Sequence, residues 1–314
     1  MSSAICLLVY SLGVLVLAPP VLSGSTGSGR NPRLGLIAWT SAIGSVLVSW
    51  VAAAAFVIVD IGRDLLSDEH LSLSRCFTQL HDAAIGVHGA VVQVGLLMLI
   101  GFGVVAVGVL ASRLGTALAR ARSATHSHAN AARIIGRPHA RHDAVVIDHP
   151  EPAAYSVAGN PDTIVLTQGI VAALDDEHLE AVMAHERAHL TGRHYVLLAV
   201  TRALAAVLPR IDLFVTGAAQ VARLVEMSAD DAAASLHGPK IVREALLALA
   251  GTRTPSAFGA PEVGLADRVF RLSAPYPAAR SMSVTVSALT TAAFFAGPML
   301  AMFAAAAGLG VCTL

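Results

Sequence analysis

Long uncharged stretches alternate along the chain with short clusters of charge, and this pattern alone predicts most of its elements. Ala4 to Leu22 carries no charge, and neither does Leu34 to Val59, which lies between Arg33 and Asp60. A third uncharged run, Ala83 to Ser112, is bounded by Asp82 and Arg113, and a fourth follows Arg280, from about Met282 to Leu309. Apolar runs of roughly 18 residues or more read as membrane-spanning helices, so four spans are expected. The first run has no basic residue before it, whereas a cleaved signal peptide carries a positive leading segment. Pro19, Pro20 and the following SGSTGSGR instead fit a retained span ending in a loop.

The pattern changes between the third and fourth runs. AVVIDHP, AAYSVAG and DTIVLT read as three short strands, rich in the β-branched residues Val145, Val146, Ile147, Ile164, Val165 and Thr167. Gly159, Asn160 and Pro161 supply a turn. A helix of about four turns follows, with Asp175 or Asp176 to cap it, acids in its first turn and Gly192 placed to end it. YVLLAVTRALAAVLPRIDLFV is nearly apolar but is interrupted by Arg202, Pro209, Arg210 and Asp212. It is too short and broken for a span and reads as a core hairpin, or one that dips into the membrane. The fold expected is an α-helical integral membrane protein of four spans with an inserted α+β domain. Residues 1–112 would hold three spans, 113–143 a basic juxtamembrane linker, 144–281 the inserted domain and 282–314 the fourth span.

Composition agrees: 55% of the 314 residues are hydrophobic and 13% are charged, against about a quarter charged in soluble domains. Arg30 and Arg33 follow the first span without an acid, and Arg113, Arg120, Arg122, Arg133, Arg137 and Arg141 follow the third. The loop between spans two and three is acidic, with Asp60, Asp64, Asp68, Glu69 and Asp82 against Arg63 and Arg75. By the positive-inside rule both termini lie outside and residues 113–281 are cytoplasmic, in a multi-pass protein of the cell (plasma or inner) membrane. Formal net charge is zero, and no direct nucleic-acid binding is expected. Ser112 to about Ala132, rich in Arg and Ala, reads as a basic helix lying near the anionic leaflet, and His126, His128, His139 and His142, without an acid or a helical register, read as a solvated linker and not a metal site. Cys6, Cys76 and Cys312 leave the cytoplasmic segment without cysteine, excluding a Cys-ligated zinc site or a Cys protease there.

The candidate chemistry is in MAHERAHLTGRH, from Met183 to His194. His185 and His189, four apart on a helix, share one face and can hold one metal ion. Glu186 lies about 100° round, positioned to handle a proton rather than bind the ion, and Arg187 points away. Two residues compete as third ligand. His194 is near, and Gly192 falls where HExxHxxGxxH has its glycine, but that pattern places its last histidine at Tyr195. The rival is Glu226. With Arg223, Asp230 and His237 it forms a polar stripe within roughly 60° on an apolar helix, and such a stripe needs a buried polar partner. Two histidines and a Glu leave the fourth zinc position open, as catalysis requires, and the stripe reading favours Glu226. Asp230 would accept the free N–H of a ligand histidine. His194 would line the cleft or cap the helix, and Arg223 and His237 would steady an oxyanion or pair within the stripe. One zinc ion per chain is expected.

With these pieces placed, the chain resembles the BlaR/MecR family of membrane metalloproteases. The likeness rests on DTIVLTQGIVAALDDEHLEAVMAHERAHLTGRH, on EMSADDAA, and on the order of three spans, a cytoplasmic zinc domain and one span. It implies that His185, His189 and Glu226 bind zinc, that Glu186 is the general base and that Asp230 supports the site. It also implies a gluzincin fold: a small sheet on two zinc helices, with an edge strand, expected in DTIVLT, holding extended substrate. The family often has an acid where His194 stands. Its β-lactam sensors continue past the fourth span into a penicillin-binding domain, whereas this sequence ends at Leu314, so a signal is expected through the outer loop, the membrane or a partner. The function expected is zinc-dependent cleavage of a protein or peptide at a cytoplasmic active site, a transcriptional repressor being one such substrate. An HtpX-like quality-control protease is the alternative; it has a similar zinc core but usually two spans on either side. A non-catalytic membrane sensor or scaffold is the third reading, and the intact motif weighs against it.

Overall fold

A computed structural model of the chain describes residues 2–66, 90–139, 142–252, 264–273 and 282–306. The first two uncharged runs form antiparallel helices, α1 (Ser2–Thr26) and α2 (Pro32–Leu66). Two indole N–H groups tie them together, Trp39 donating to Thr26 Oγ1 and Trp50 to Ser11 Oγ, each at 3.2 Å. Within them Ser3–Thr26 and Pro32–Val59 are long and apolar enough to cross a membrane. The acidic loop after α2 and Cys76 lie outside the described residues, as does Cys312.

The third run differs from its expected outline. Helix α3 (Ala90–Ile135) passes without a break from the apolar run through the Arg-rich segment. At 1.5 Å per residue its 46 residues extend about 69 Å. The basic segment is helical, as its composition suggests: Ala and Arg are strong helix formers, and no proline interrupts them before Pro138; what the sequence did not announce is that it continues the apolar run as one helix.

Four strands follow: β1 (Arg137–Pro138), β2 (Val145–Ile147), β3 (Ala154–Val157) and β4 (Thr163–Thr167). They form one sheet in the order β1-β2-β4-β3, with β2 and β4 parallel and the other pairs antiparallel. DTIVLT is therefore not an edge. As β4 it is buried at all five positions and paired on both sides, and the edge beside the helices is β3, from AAYSVAG. The alternation of a strand explains the two cores. Ile164 and Leu166 face Leu179, Val182 and Met183, while Val165 faces Ala129 and Ala132 of α3.

The remaining helices are α4 (Gln168–Ala173), α5 (Asp176–Thr191), α6 (His194–Val207), α7 (Asp212–His237), α8 (Pro239–Thr252), α9 (Leu265–Ser273) and α10 (Met282–Ala306). The predicted caps of α5 are present: Asp175 accepts from the His178 N–H at 2.9 Å and Gly192 closes the helix. The broken apolar stretch forms the hairpin of α6 and α7. Leu204, Leu213, Phe214, Val221 and Leu224 bury themselves against Leu36, Trp39, Ile43 and Val46 of α2. The first two apolar helices thus share one core with α6 and α7, while α5 packs in the clusters under the sheet and against α8.

Candidate metal centre

The site is built where α5 crosses α7. His185 and His189 present their Nε2 atoms 3.0 Å apart on one face of α5. Glu226 reaches in from α7, its Oε2 3.6 Å from His185 Nε2 and its Oε1 3.6 Å from His189 Nε2. One ligand atom from each of the three lies within 4.8 Å of the other two. Donors at 2.0–2.2 Å from a tetrahedral zinc ion stand about 3.3–3.6 Å apart, so these atoms fit such an ion after shifts of a few tenths of an ångström. The donor set, two imidazoles and one carboxylate, is a zinc set that leaves a coordination position open.

Each histidine is also held from behind. His185 Nδ1 lies 3.1 Å from Asp230 Oδ1, and His189 Nδ1 lies 3.2 Å from His194 Nδ1. Both contacts leave the Nε2 atoms aimed at the common point, the arrangement by which a second partner fixes a ligand's tautomer. His194 is buried as the first residue of α6. It arrives there because Arg193 takes a left-handed backbone conformation, φ 49°. Gly192 makes room: a Cβ at that position would overlap the His194 imidazole and stand 3.0 Å from Ala188 O. That glycine therefore serves ring packing, and its own backbone is ordinary α-helical.

Asp230 is fully buried and takes two hydrogen bonds from one guanidinium, Arg268 Nε at 2.8 Å and Nη2 at 2.7 Å. Arg268 Nη1 also stands 3.2 Å from Glu226 Oε2. One turn on, Arg271 pairs with Asp231 and donates to Met227 O at 2.9 Å. Sequence reading passed over both arginines. LADRVFRL reads locally as a short solvated helix, and the available signal was indirect, three acids at 226, 230 and 231 on a buried helix with one arginine, Arg223.

The other stripe residues go elsewhere. Arg223 donates to Thr26 O and Gly27 O, each at 3.0 Å, and stands 3.7 Å from Asp267, so its guanidinium binds the end of α1 and not an acid of its own stripe. His237 is eleven residues beyond Glu226 on the same helix, about 16 Å away along its axis. Arg187 is exposed, as expected for the face opposite the metal.

Electrostatics follow from the packing. Burial opposes charge on His185, but hydrogen bonds to Asp230 and Glu226 outweigh it and push its pKa up to about 10 in the metal-free protein. Burial, then the charge of His185, takes His189 down to about 4; burial and His189 do the same to His194. Against the cost of burial, His185 and Arg268 hold Glu226 down at about 2. Asp230 is also buried, and hydrogen bonds from Arg268 and His185 keep it well below the usual carboxylate range. Glu186 goes the other way, raised by burial, with the charge of His185 and then hydrogen bonds from the Ser156 side chain and backbone on edge strand β3 partly offsetting this. Around the centre Glu226 and Asp230 meet the guanidinium of Arg268, and Arg271 Nη2 stands 3.8 Å from Asp230 Oδ2, so the buried carboxylates are charge-paired as well as hydrogen-bonded.

The family model described as "Peptidase family M48" matches residues 118–291, more than half of the chain. A protein named "Protease HtpX homolog" from Acidiphilium cryptum is 37% identical over 69 residues, covering 21% of this chain and 24% of that one. Another of the same name, from Limosilactobacillus fermentum, is 40% identical over 62 residues, 19% and 20% of the two chains. The chain thus spans about a fifth to a quarter of the length of these curated relatives. No solved structure matches it. What this supports is the coarser expectation of a metallopeptidase family with membrane relatives, and it does not single out the BlaR/MecR type. The chain belongs to peptidase family M48.

Proposed function

We propose that the protein is a membrane-anchored, zinc-dependent endopeptidase with its active site at the cytoplasmic face. The observation that carries this is the convergence of His185, His189 and Glu226 on one point with Glu186 buried beside it. On this reading His185, His189 and Glu226 hold one zinc ion, Asp230 and His194 orient the two imidazoles, and Arg268 holds Asp230 and Glu226 in place. Bound zinc would supply Lewis-acid polarisation of a peptide carbonyl and acidify water. Glu186 takes a proton and returns it to the leaving amine, and burial raises its pKa toward the range suited to that exchange. Edge strand β3 offers its free side to an extended peptide, and Ser156 on that strand hydrogen-bonds Glu186, which brings backbone and base together.

The catalytic domain is residues 144–281, inserted between the third and fourth of four spans. Helices α3 and α10 carry the third and fourth uncharged runs, and α10 packs on α1 and α2. The turn after α1, which carries Arg30, packs on α7 through Arg223, which supports placing that turn and the protease domain on the same, cytoplasmic side, with both termini outside. Within this reading two roles compete. The names of the relatives favour HtpX-like quality control of membrane proteins. The order of three spans, zinc domain and one span favours regulatory cleavage of a protein such as a repressor.

The test is zinc content and casein cleavage by detergent-purified protein, with and without a chelator. One zinc per chain and chelator-sensitive cleavage are expected. A protein that binds no zinc returns the reading to a non-catalytic membrane sensor.

A further inference from the structure

Helix α1 ends against the helix that carries Glu226, and Arg223 makes the junction. Its Nη2 donates to Thr26 O and its Nη1 to Gly27 O, each at 3.0 Å, while its Nε donates to Gln220 Oε1 at 3.3 Å. The last carbonyls of a helix have no partner within it and carry its negative end, so a guanidinium is a strong cap there. Asp267 is a weaker partner, 3.7 Å away and with 64% of its side chain exposed to water. Each guanidinium nitrogen is thus engaged at the end of α1 or on its own helix.

Two glycines let the chain after α1 approach closely enough for this. Gly29, at φ 61°, is buried on Met227: a Cβ there would overlap Met227 Sδ and stand 3.6 Å from Arg271 Cδ. A Cβ on Gly35 of α2 would stand 3.0 Å from Leu224 Cδ1. Arg223, Leu224 and Met227 fall within about 100° on α7, so one face of that helix bears on the α1–α2 pair. Glu226 lies about 60° to the side of Arg223, and its two carboxylate oxygens each stand 3.6 Å from a histidine Nε2. Arg271 joins the same junction: it packs beside Gly29, donates to Met227 O at 2.9 Å and pairs with Asp231.

We propose that Arg223 is a positioning residue for the metal centre: by clasping the C-terminal end of α1 it holds α7 at the height where Glu226 meets His185 and His189. This rests on the reading that those three residues hold zinc. The carboxylate then has two anchors. Arg268 reaches its Oε2 from α9 at 3.2 Å, and Arg223 holds the backbone one turn before it against α1. Distances from zinc to its ligands hold within about 0.2 Å, so freeing that turn of α7 is felt at the ion. The scaffold of the centre therefore begins at the end of α1, outside residues 144–281.

The experiment compares the full chain, metal-free in detergent, as wild type, Arg223→Ala, Arg223→Lys, Gly29→Ala and Trp50→Phe. The last is a control that removes the indole bond to Ser11, far along α2 from the turn. Cobalt(II) is titrated and read by its d–d absorption, zinc affinity is measured by competition, and thermal unfolding reports stability separately. We expect Arg223→Ala to weaken both ions about 10-fold, the low end for a residue acting behind the ligands, and to alter the spectrum of bound cobalt. Gly29→Ala, which displaces Met227, should do the same. Arg223→Lys should recover part of the affinity, since an ammonium keeps the charge and loses the fork. Trp50→Phe should lower the unfolding midpoint with affinity and spectrum as in the wild type. Unchanged affinity and spectrum in Arg223→Ala and Gly29→Ala would overturn the proposal whatever their stability. An equal metal defect in Trp50→Phe would overturn it too, as general loosening. Should Arg223→Ala fail to fold, Arg223→Lys and Gly29→Ala decide by the same readouts. A wild type that binds neither ion would instead defeat the zinc reading, and the proposal with it.

Discussion

Arg268 closes on the buried carboxylate of Asp230 through two hydrogen bonds, at 2.8 and 2.7 Å, and so joins α9 to the helix that carries Glu226. Asp230 in turn holds His185 from behind. The candidate centre is therefore a chain of contacts running from α9 through α7 to α5, and each link gives an expected outcome.

Removing the guanidinium leaves Asp230 charged and buried without its main partner, which costs about 3–5 kcal/mol for a buried pair. Arg268→Ala should lower the denaturation midpoint sharply and weaken zinc binding by about 10- to 100-fold. Arg268→Lys should recover only part, since an ammonium cannot reproduce the two-pronged contact. Full recovery with Lys would show that only charge matters there.

His194 supports His189 and, on this account, does not bind the ion. His194→Ala should weaken zinc binding about 10- to 100-fold and still leave a stoichiometric site at high zinc, whereas Glu226→Ala should abolish that site. Gly192→Ala should resemble His194→Ala, because its Cβ displaces the same imidazole. Zinc titration of the three variants checks this, and retention in Glu226→Ala with loss in His194→Ala would reverse the assignment.

The metal-free protein should be most stable near pH 6.5 and lose stability on both sides. His189 and His194, buried neutral with pKa about 4 against 6.5 in the unfolded chain, contribute stability that is full above pH 6.5. As pH falls toward 4 the unfolded chain binds more protons and that contribution is lost. His185 works in the opposite sense. Raised to about 10, it contributes stability that is full below pH 6.5 and lost as pH rises through 10. Zinc requires neutral imidazoles, so it should remove the alkaline loss. Thermal unfolding across pH, with chelator and with zinc, reads both effects.

What could be read from the sequence was what depends on local spacing. The i, i+4 histidines, the Asp175 cap, the Gly192 stop and the Glu226–Asp230 half of the polar stripe on α7 are properties of one helix at a time, and the structure has each of them. The edge strand was misread because composition does not separate a five-residue strand buried on both sides from one at an edge. AAYSVAG, with fewer β-branched residues, took the edge. Arg268 escaped notice because its partner lies 38 residues away on another helix. Arg223 was placed with its stripe, yet its guanidinium reaches the end of α1, a contact across 196 residues. The failures are tertiary contacts of charged groups, and no periodicity announces them.

The central claim concerns one carboxylate, Glu186, buried beside three converging donors. The most direct measurement is peptide-bond cleavage by the wild type and by Glu186→Gln, compared at equal zinc occupancy in detergent. The account predicts that the variant binds one zinc per chain as the wild type does and cleaves about 10²- to 10⁴-fold more slowly. Equal cleavage by the two proteins would contradict it.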